Sequence, residues 1–311
     1  VVTRAVISLG TNTTRLLVVR DGPGDTIEIL EQGQTGTRLG EGLRDGGTLL
    51  PAAVERTLDA VRAFTARARA HDATPSSIAT SALRRAENAG AFAAKMLEIT
   101  GAPLEIVSGR VEAAASYRGA TYGTNLGALR VAVVDVGGGS TEVAVGTGGR
   151  LEDAHSIEIG SVRLAERHPD VTGATPGKRA RAAAAAARAD AAALVRPFAA
   201  FAGPDQARAV AGTALTIAAV ALACDVTRAS GRTISLATID ETVDMLLGLE
   251  LEARRALPGM LPQRADILPA GAIVLAETLR ALGAERVLLE ENDLLLGFLL
   301  MQRERSPHPA G

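Results

Sequence analysis

The chain has 311 residues, of which 47% are hydrophobic but only 2% aromatic, with no Trp, so its length suits one large domain or two ordinary ones cored by Ala, Val, Leu and Ile. Few rings and a net charge of −2 argue against base stacking and against a global basic field for nucleic acid or membrane, so a polyanion would need a local basic patch. The single Cys224 excludes an intrachain disulfide and a cysteine metal cluster, and with no apolar leader or membrane-spanning stretch a cytoplasmic protein is expected.

In chain order, Val6, Ile7 and Leu9 form a strand that runs into Gly10-Thr11-Asn12-Thr13 and out along Leu16-Leu17-Val18-Val19. Residues 26–31 add a third antiparallel strand. Val54, Leu58, Val61 and Phe64 recur at helical spacing after Pro51. A short buried strand at 78–79, a helix at 92–99, a strand at 104–107 and a helix at 111–122 follow. The pattern then restarts: strand 131–134, the loop Gly137-Gly138-Gly139-Ser140, strand 143–145 and a third strand at 151–159. Residues 178–195 are Ala- and Arg-rich and read as an exposed or half-buried helix. A strand at 208–211, helices at 215–224, 239–249 and 267–282, a strand at 286–289 and a helix at 294–303 complete the chain. Residues 306–311 read as a frayed tail.

The restart is testable by laying the halves over each other. Ile7-Ser8-Leu9-Gly10 falls on Val134-Asp135-Val136-Gly137 at an offset of 127, and Ala79-Thr80-Ser81-Ala82-Leu83 falls on Ala211-Gly212-Thr213-Ala214-Leu215 at an offset of 132. Two signatures in the same order at similar spacing predict a duplicated α/β unit.

A glycine-rich turn after a strand bares backbone N–H groups, and several pointing one way form an anion nest. Gly137, Gly138 and Gly139 suit this, with Ser140 and Thr141 adding hydroxyls, and Thr11, Asn12 and Thr13 supply donors beside Gly10. Facing lobes would set the two loops across one cleft holding adjacent phosphates. Asp135 and Glu142 bracket the second loop and match the oxygen ligands that Mg²⁺ prefers. A lone Gly-Gly-Gly run is ordinarily a flexible turn; the preceding strand, the flanking acids and the sister loop favour phosphate. No Walker A motif and no G-x-G-x-x-G after a strand occurs. His71, His155, His168 and His308 show no metal or triad spacing and read as surface residues.

These residues resemble the exopolyphosphatase/guanosine pentaphosphate phosphatase family, within the actin, sugar-kinase and Hsp70 ATPase superfamily, over nearly the whole chain. The most specific segment is Asp135-Val136-Gly137-Gly138-Gly139-Ser140-Thr141-Glu142. Supporting segments include Gly10-Thr11-Asn12-Thr13-Thr14-Arg15-Leu16, Ala79 to Arg84, Ser108-Gly109-Arg110-Val111-Glu112-Ala113, Gly160 to Leu164, Gly212-Thr213-Ala214 and Arg264 to Gly271. The resemblance implies an α/β fold of two duplicated ribonuclease H-like, actin-like ATPase domains with an interdomain cleft. These are expected at residues 1–122 and 123–311, with a C-terminal helix near 293–305 packing back on the first. It implies Glu112 as the catalytic base, Arg84 and more weakly Arg264 as phosphate ligands with Gly212 and Thr213, and Mg²⁺ or Mn²⁺ at Asp135 and Glu142. Arg163 is balanced between a substrate and a structural role.

The implied reaction is metal-assisted hydrolysis of a terminal phosphoanhydride, with inorganic polyphosphate as substrate. A pppGpp 5′-phosphohydrolase and a polyphosphate or nucleotide sensor with weak turnover are the alternatives. Nucleic acid and membrane partners are not expected; family members are often dimers, so a homodimer stays open. The sequence departs from the family at Ser8, where an Asp is usual, and at Leu294-Leu295-Leu296-Gly297, where Leu-Arg-Glu-Gly is usual. Longer members carry further helical domains, for which 311 residues leave no room.

Overall fold

The computed structural model describes residues 2–44, 46–172 and 178–305; the tail at 306–311, and His308 with it, lies outside them. The chain divides into two compact units, Val1–Glu112 with Phe298–Gly311, and Ala113–Gly297. The division therefore falls inside two helices rather than in the 122–123 connection.

In the first unit, β1 (Thr3–Leu9), β2 (Thr14–Asp21) and β3 (Ile27–Thr35) form an antiparallel meander. After α1 (Pro51–Arg69), β4 (Pro75–Ala79) joins β1 in parallel; after α2 (Ser81–Arg85) and α3 (Ala89–Thr100), β5 (Leu104–Ile106) joins β4 in parallel. The strand order is β3-β2-β1-β4-β5. α1 starts on Pro51, whose missing N–H costs nothing in a first turn. Its buried Val54, Leu58, Val61, Phe64 and Ala68 make one stripe, which packs with Ile7, Leu9, Leu16 and Val18 into the core of this unit. α4 (Gly109–Thr121) leads out of β5.

The second unit repeats the plan. β6 (Arg130–Val136), β7 (Thr141–Thr147) and β8 (Arg150–Ile157) form the meander. α5 (Ser161–Arg167), α6 (Pro169–Thr172) and α7 (Lys178–Val195) follow, and β9 (Gln206–Val210) joins β6 in parallel. Then come α8 (Ala211–Ala221), β10 (Thr233–Ser235), α9 (Leu236–Leu247), α10 (Leu251–Arg255), α11 (Leu268–Leu282), β11 (Arg286–Leu289) and α12 (Leu294–Arg305). The order is β10-β11-β9-β6-β7-β8, with β10 an added antiparallel edge. The duplication reaches fine detail: the meanders bulge at Val18/Val19 and at Val145/Gly146, again 127 residues apart.

The apolar helix α11 is the centre of the second core, with buried residues on every turn. α7, expected to be exposed or half-buried, is half-buried: Ala180, Ala184, Ala187, Ala191 and Val195 face the core, and the small side chains let it lie close to α11. α4 and the start of α12 touch backbone to backbone, because a Cβ on Gly119 would overlap the Asp293 carbonyl and one on Gly297 the Ala115 carbonyl. The Gly of the expected Leu-Arg-Glu-Gly signature is therefore kept for contact distance. The leucines that replace its polar pair, Leu295 and Leu296, are buried.

Candidate active site

Parallel strands that end side by side place their following loops at one sheet edge, where α/β proteins bind ligands. In the first unit β1 and β4 end together at Leu9 and Ala79. The Gly10 N–H closes a turn onto the Thr13 carbonyl at 3.0 Å. The segment 37–40 crosses below: the Arg38 and Gly40 amides donate to the Asn12 and Thr11 carbonyls, both at 2.9 Å, and the Thr14 and Thr37 hydroxyls meet at 2.9 Å. Gly40 is required there, because a Cβ would collide with the Thr11 side chain.

From the neighbouring β4 end, α2 carries Arg84. Its Nη1 donates to Glu112 Oε2 at 2.7 Å and to the Val107 carbonyl at 3.1 Å. Glu112 is buried in the first turn of α4, whose start is held by the Ser108 hydroxyl and carbonyl accepting from Val111 and Glu112 amides. The structure thus brings together the Arg84 and Glu112 that the sequence singles out separately.

In the second unit the Gly137 N–H closes the sister turn onto the Ser140 carbonyl at 2.9 Å. The crossing segment is 159–163: Ser161 N–H donates to the Gly137 carbonyl and Val162 N–H to the Gly138 carbonyl, both at 2.9 Å. A Cβ on Gly160 would strike Gly137 and Gly138. Asp135 and Glu142 stand directly opposite each other on β6 and β7, so both side chains leave the same face of the sheet. They are only 6% and 1% exposed. Ser116 Oγ of α4 donates to Asp135 Oδ2 at 2.9 Å, and Ser156 Oγ of β8 donates to Glu142 Oε1 at 2.6 Å.

β9 ends beside β6, with Val210 opposite Asp135. Ala211 then adopts φ 62°, a left-handed conformation that costs a residue with a Cβ roughly 1–2 kcal/mol. Gly212 follows with the Arg264 guanidinium against it, where a side chain would collide. Arg264 is buried, and its Nη1 lies 3.4 Å from Thr213 Oγ1.

The chain matches the model of the Ppx/GppA phosphatase family over residues 17–301. It belongs to the Ppx/GppA phosphatase family. Among solved structures it is similar to an exopolyphosphatase-like protein, at 29% identity and TM-score 0.87, over 98% of this chain and 99% of that one. It shares its fold with an exopolyphosphatase from Cytophaga hutchinsonii, at 21% identity and TM-score 0.86 over 98% and 99% of the two chains. The same holds for an Aquifex aeolicus Ppx/GppA family member, at 22% identity and TM-score 0.78 over 98% and 99%.

In this Ppx/GppA protein some expected donors have other work. The Gly10 and Gly137 amides are spent on their turns, so these glycines shape the loops rather than donate from them. The Thr141 hydroxyl donates inward to the Ile159 carbonyl at 2.6 Å and is fully buried, so it too is structural. Arg163 donates from Nη1 to the Glu158 carbonyl at 2.5 Å and pairs through Nη2 with Glu158 Oε2 at 2.9 Å, which gives it a structural place. His71 pairs with Glu31 and His168 with Asp190, at 2.9 and 3.0 Å, and His155 lies edge-on to Phe198.

Ser8, where the family usually has Asp, is buried on β1 opposite Arg15 of β2. At the offset of 127 these two positions are Asp135 and Glu142. One unit therefore pairs a serine with an arginine across its strands where the other pairs two acids. Ser116 and Ser156 escaped the sequence reading; the one signal for Ser116 was its place one helical turn after Glu112.

Asp135 and Glu142 fit a hard divalent cation: all donors are oxygen, and two opposed like charges gain from a positive ion between them. Among the described residues no group of three or more His, Cys, Asp or Glu gathers around a metal position. No helix among them is long and apolar enough to cross a membrane.

Proposed function

We propose that this chain is an exopolyphosphatase that hydrolyses the terminal phosphoanhydride of inorganic polyphosphate and releases orthophosphate. The observation that carries the reading is the buried Asp135–Glu142 pair flanking a glycine loop in a member of a phosphatase family. Asp135 and Glu142 would hold Mg²⁺ or Mn²⁺, together with substrate oxygens and water. When bound, the ion supplies charge neutralisation on the phosphates.

The chain's own residues do the rest. The loops at 11–13 and 138–140 bind phosphate oxygens through backbone and side-chain donors. Arg84 and Arg264, with Gly212 and Thr213, take the remaining negative charge; a guanidinium binds phosphate through two parallel donors. Glu112 orients the attacking water and accepts its proton, with Arg84 fixing the carboxylate until then.

Polyphosphate is favoured over pppGpp by a specific observation. All five Phe and Tyr117 are buried, so only the partly exposed Tyr122 could offer a ring to a guanine. The test compares kcat/KM for long-chain polyphosphate and for pppGpp. A preference of at least about tenfold for polyphosphate, or about 1.4 kcal/mol, is expected. A preference for pppGpp would replace this substrate by the nucleotide.

A further inference from the structure

The two carboxylates beside the second glycine loop are each held by a serine from a different element. Ser116 comes from α4 and Ser156 from β8, and each hydroxyl donates to one carboxylate oxygen, Asp135 Oδ2 at 2.9 Å and Glu142 Oε1 at 2.6 Å. Ser116 is as deeply buried as Glu142, at 1% exposure. A carboxylate turns easily about its terminal torsion, whose energy well is broad. One strong hydrogen bond to a fixed partner removes that freedom. A carboxylate fixed before its ligand arrives loses less entropy on binding.

Electrostatics sharpen the point. Asp135 and Glu142 are directly opposed like charges on adjacent strands. Two opposed carboxylates are oxygen donors of the kind a divalent cation takes. Two hydroxyl donors lower the cost of keeping both carboxylates in place while no ion is bound.

We infer that Ser116 and Ser156 are positioning residues that preset Asp135 and Glu142 for a divalent cation, and so set the metal affinity of this protein. The inference rests on the proposed metal role of Asp135 and Glu142. Neither serine touches substrate; both act through the carboxylates. Ser116 belongs to the helix that carries Glu112 four residues earlier. Ser156 is half-buried in an edge strand, where the β-branched Thr keeps the hydroxyl and suits the backbone.

The test is Mn²⁺ binding to the full chain without substrate, read by electron paramagnetic resonance, alongside the metal dependence of phosphate release. Loss of a hydrogen bond to a ligating carboxylate weakens metal binding by about ten- to a hundredfold, so Ser116→Ala and Ser156→Ala should each raise the Mn²⁺ dissociation constant by at least about tenfold. At saturating metal kcat should stay close to wild type, and Ser156→Thr should keep wild-type affinity. Melting temperatures of the metal-free variants check the fold, and the half-buried Ser156 site keeps the test open if Ser116→Ala fails to fold. Wild-type Mn²⁺ affinity in a folded Ser156→Ala protein overturns the inference, provided Asp135→Asn abolishes binding. Wild-type protein that binds no Mn²⁺, or Asp135→Asn that binds it normally, overturns the metal reading and the inference with it.

Discussion

Glu112 is the residue proposed to act as the base. It is 6% exposed, begins a helix, and accepts a 2.7 Å hydrogen bond from Arg84. A surface glutamate on a helix would instead be solvated and unrestrained. General-base catalysis contributes roughly 10²–10⁴-fold, so Glu112→Gln is expected to lower kcat on polyphosphate at least about a hundredfold while KM changes little. Steady-state phosphate release checks it, and full activity in Glu112→Gln would remove this residue from the role of base. At the same scale, the sequence showed residue types but not how their atoms are committed. Gly10, Gly137 and Thr141 look like ligand donors in a motif, yet the two glycine N–H groups close turns and the Thr141 hydroxyl donates to the Ile159 carbonyl. Ser116 and Ser156 look like nothing in a motif, yet they hold the two acids. Hydrogen bonds between distant elements carry no local signature, which is why both were illegible.

Among the elements, strands and long helices were readable because their apolar periodicity is strong. Thus α7 and β11 have the predicted bounds, α11 and the two meanders differ from theirs by a few residues, and α1 carries the expected apolar spacing. The short pieces α2, α5, α10 and β10 were not separately readable, since three to seven residues give no periodicity. A C-terminal helix packing back on residues 1–122 was expected, but not that α4 and α12 meet at Gly119 and Gly297. Gly297→Ala would force the two helices apart, and overpacking of this kind costs about 1–3 kcal/mol. Urea denaturation should show that loss, and an unchanged midpoint would mean that the helices separate freely.

A second element-level tie joins α5 to α7. Arg167 donates to both Asp190 oxygens at 2.7 and 2.8 Å, and His168 sits 3.0 Å from one of them. Burial alone would push the Asp190 carboxyl up, but the hydrogen bonds and charges of Arg167 and His168 hold it below its ordinary 3.8. A lowered folded-state value gives stability that is present above 3.8 and is lost as pH falls through the lower folded value. Asp190→Asn should therefore lower the melting temperature near about pH 7, and the gap to wild type should close towards about pH 2. A gap independent of pH would show that the tie is not ionic.

For the whole molecule, the duplication explains both what the halves share and where they differ. The 127-residue offset aligns a glycine turn, a bulge and a cross-strand pair, so one unit predicts the other's backbone. The side chains at the pair have diverged into Ser8–Arg15 and Asp135–Glu142, which places the proposed metal chemistry in the second unit. The family was legible early because its motif residues stand in this chain in a fixed order, and the match over residues 17–301 agrees. Orthophosphate release from long-chain polyphosphate by the full chain, with Mg²⁺ and again with excess chelator, tests the central claim most directly. Release with Mg²⁺ that stops on chelation is the expected result; tight binding of polyphosphate with no release under either condition would contradict it and leave a binding protein without turnover.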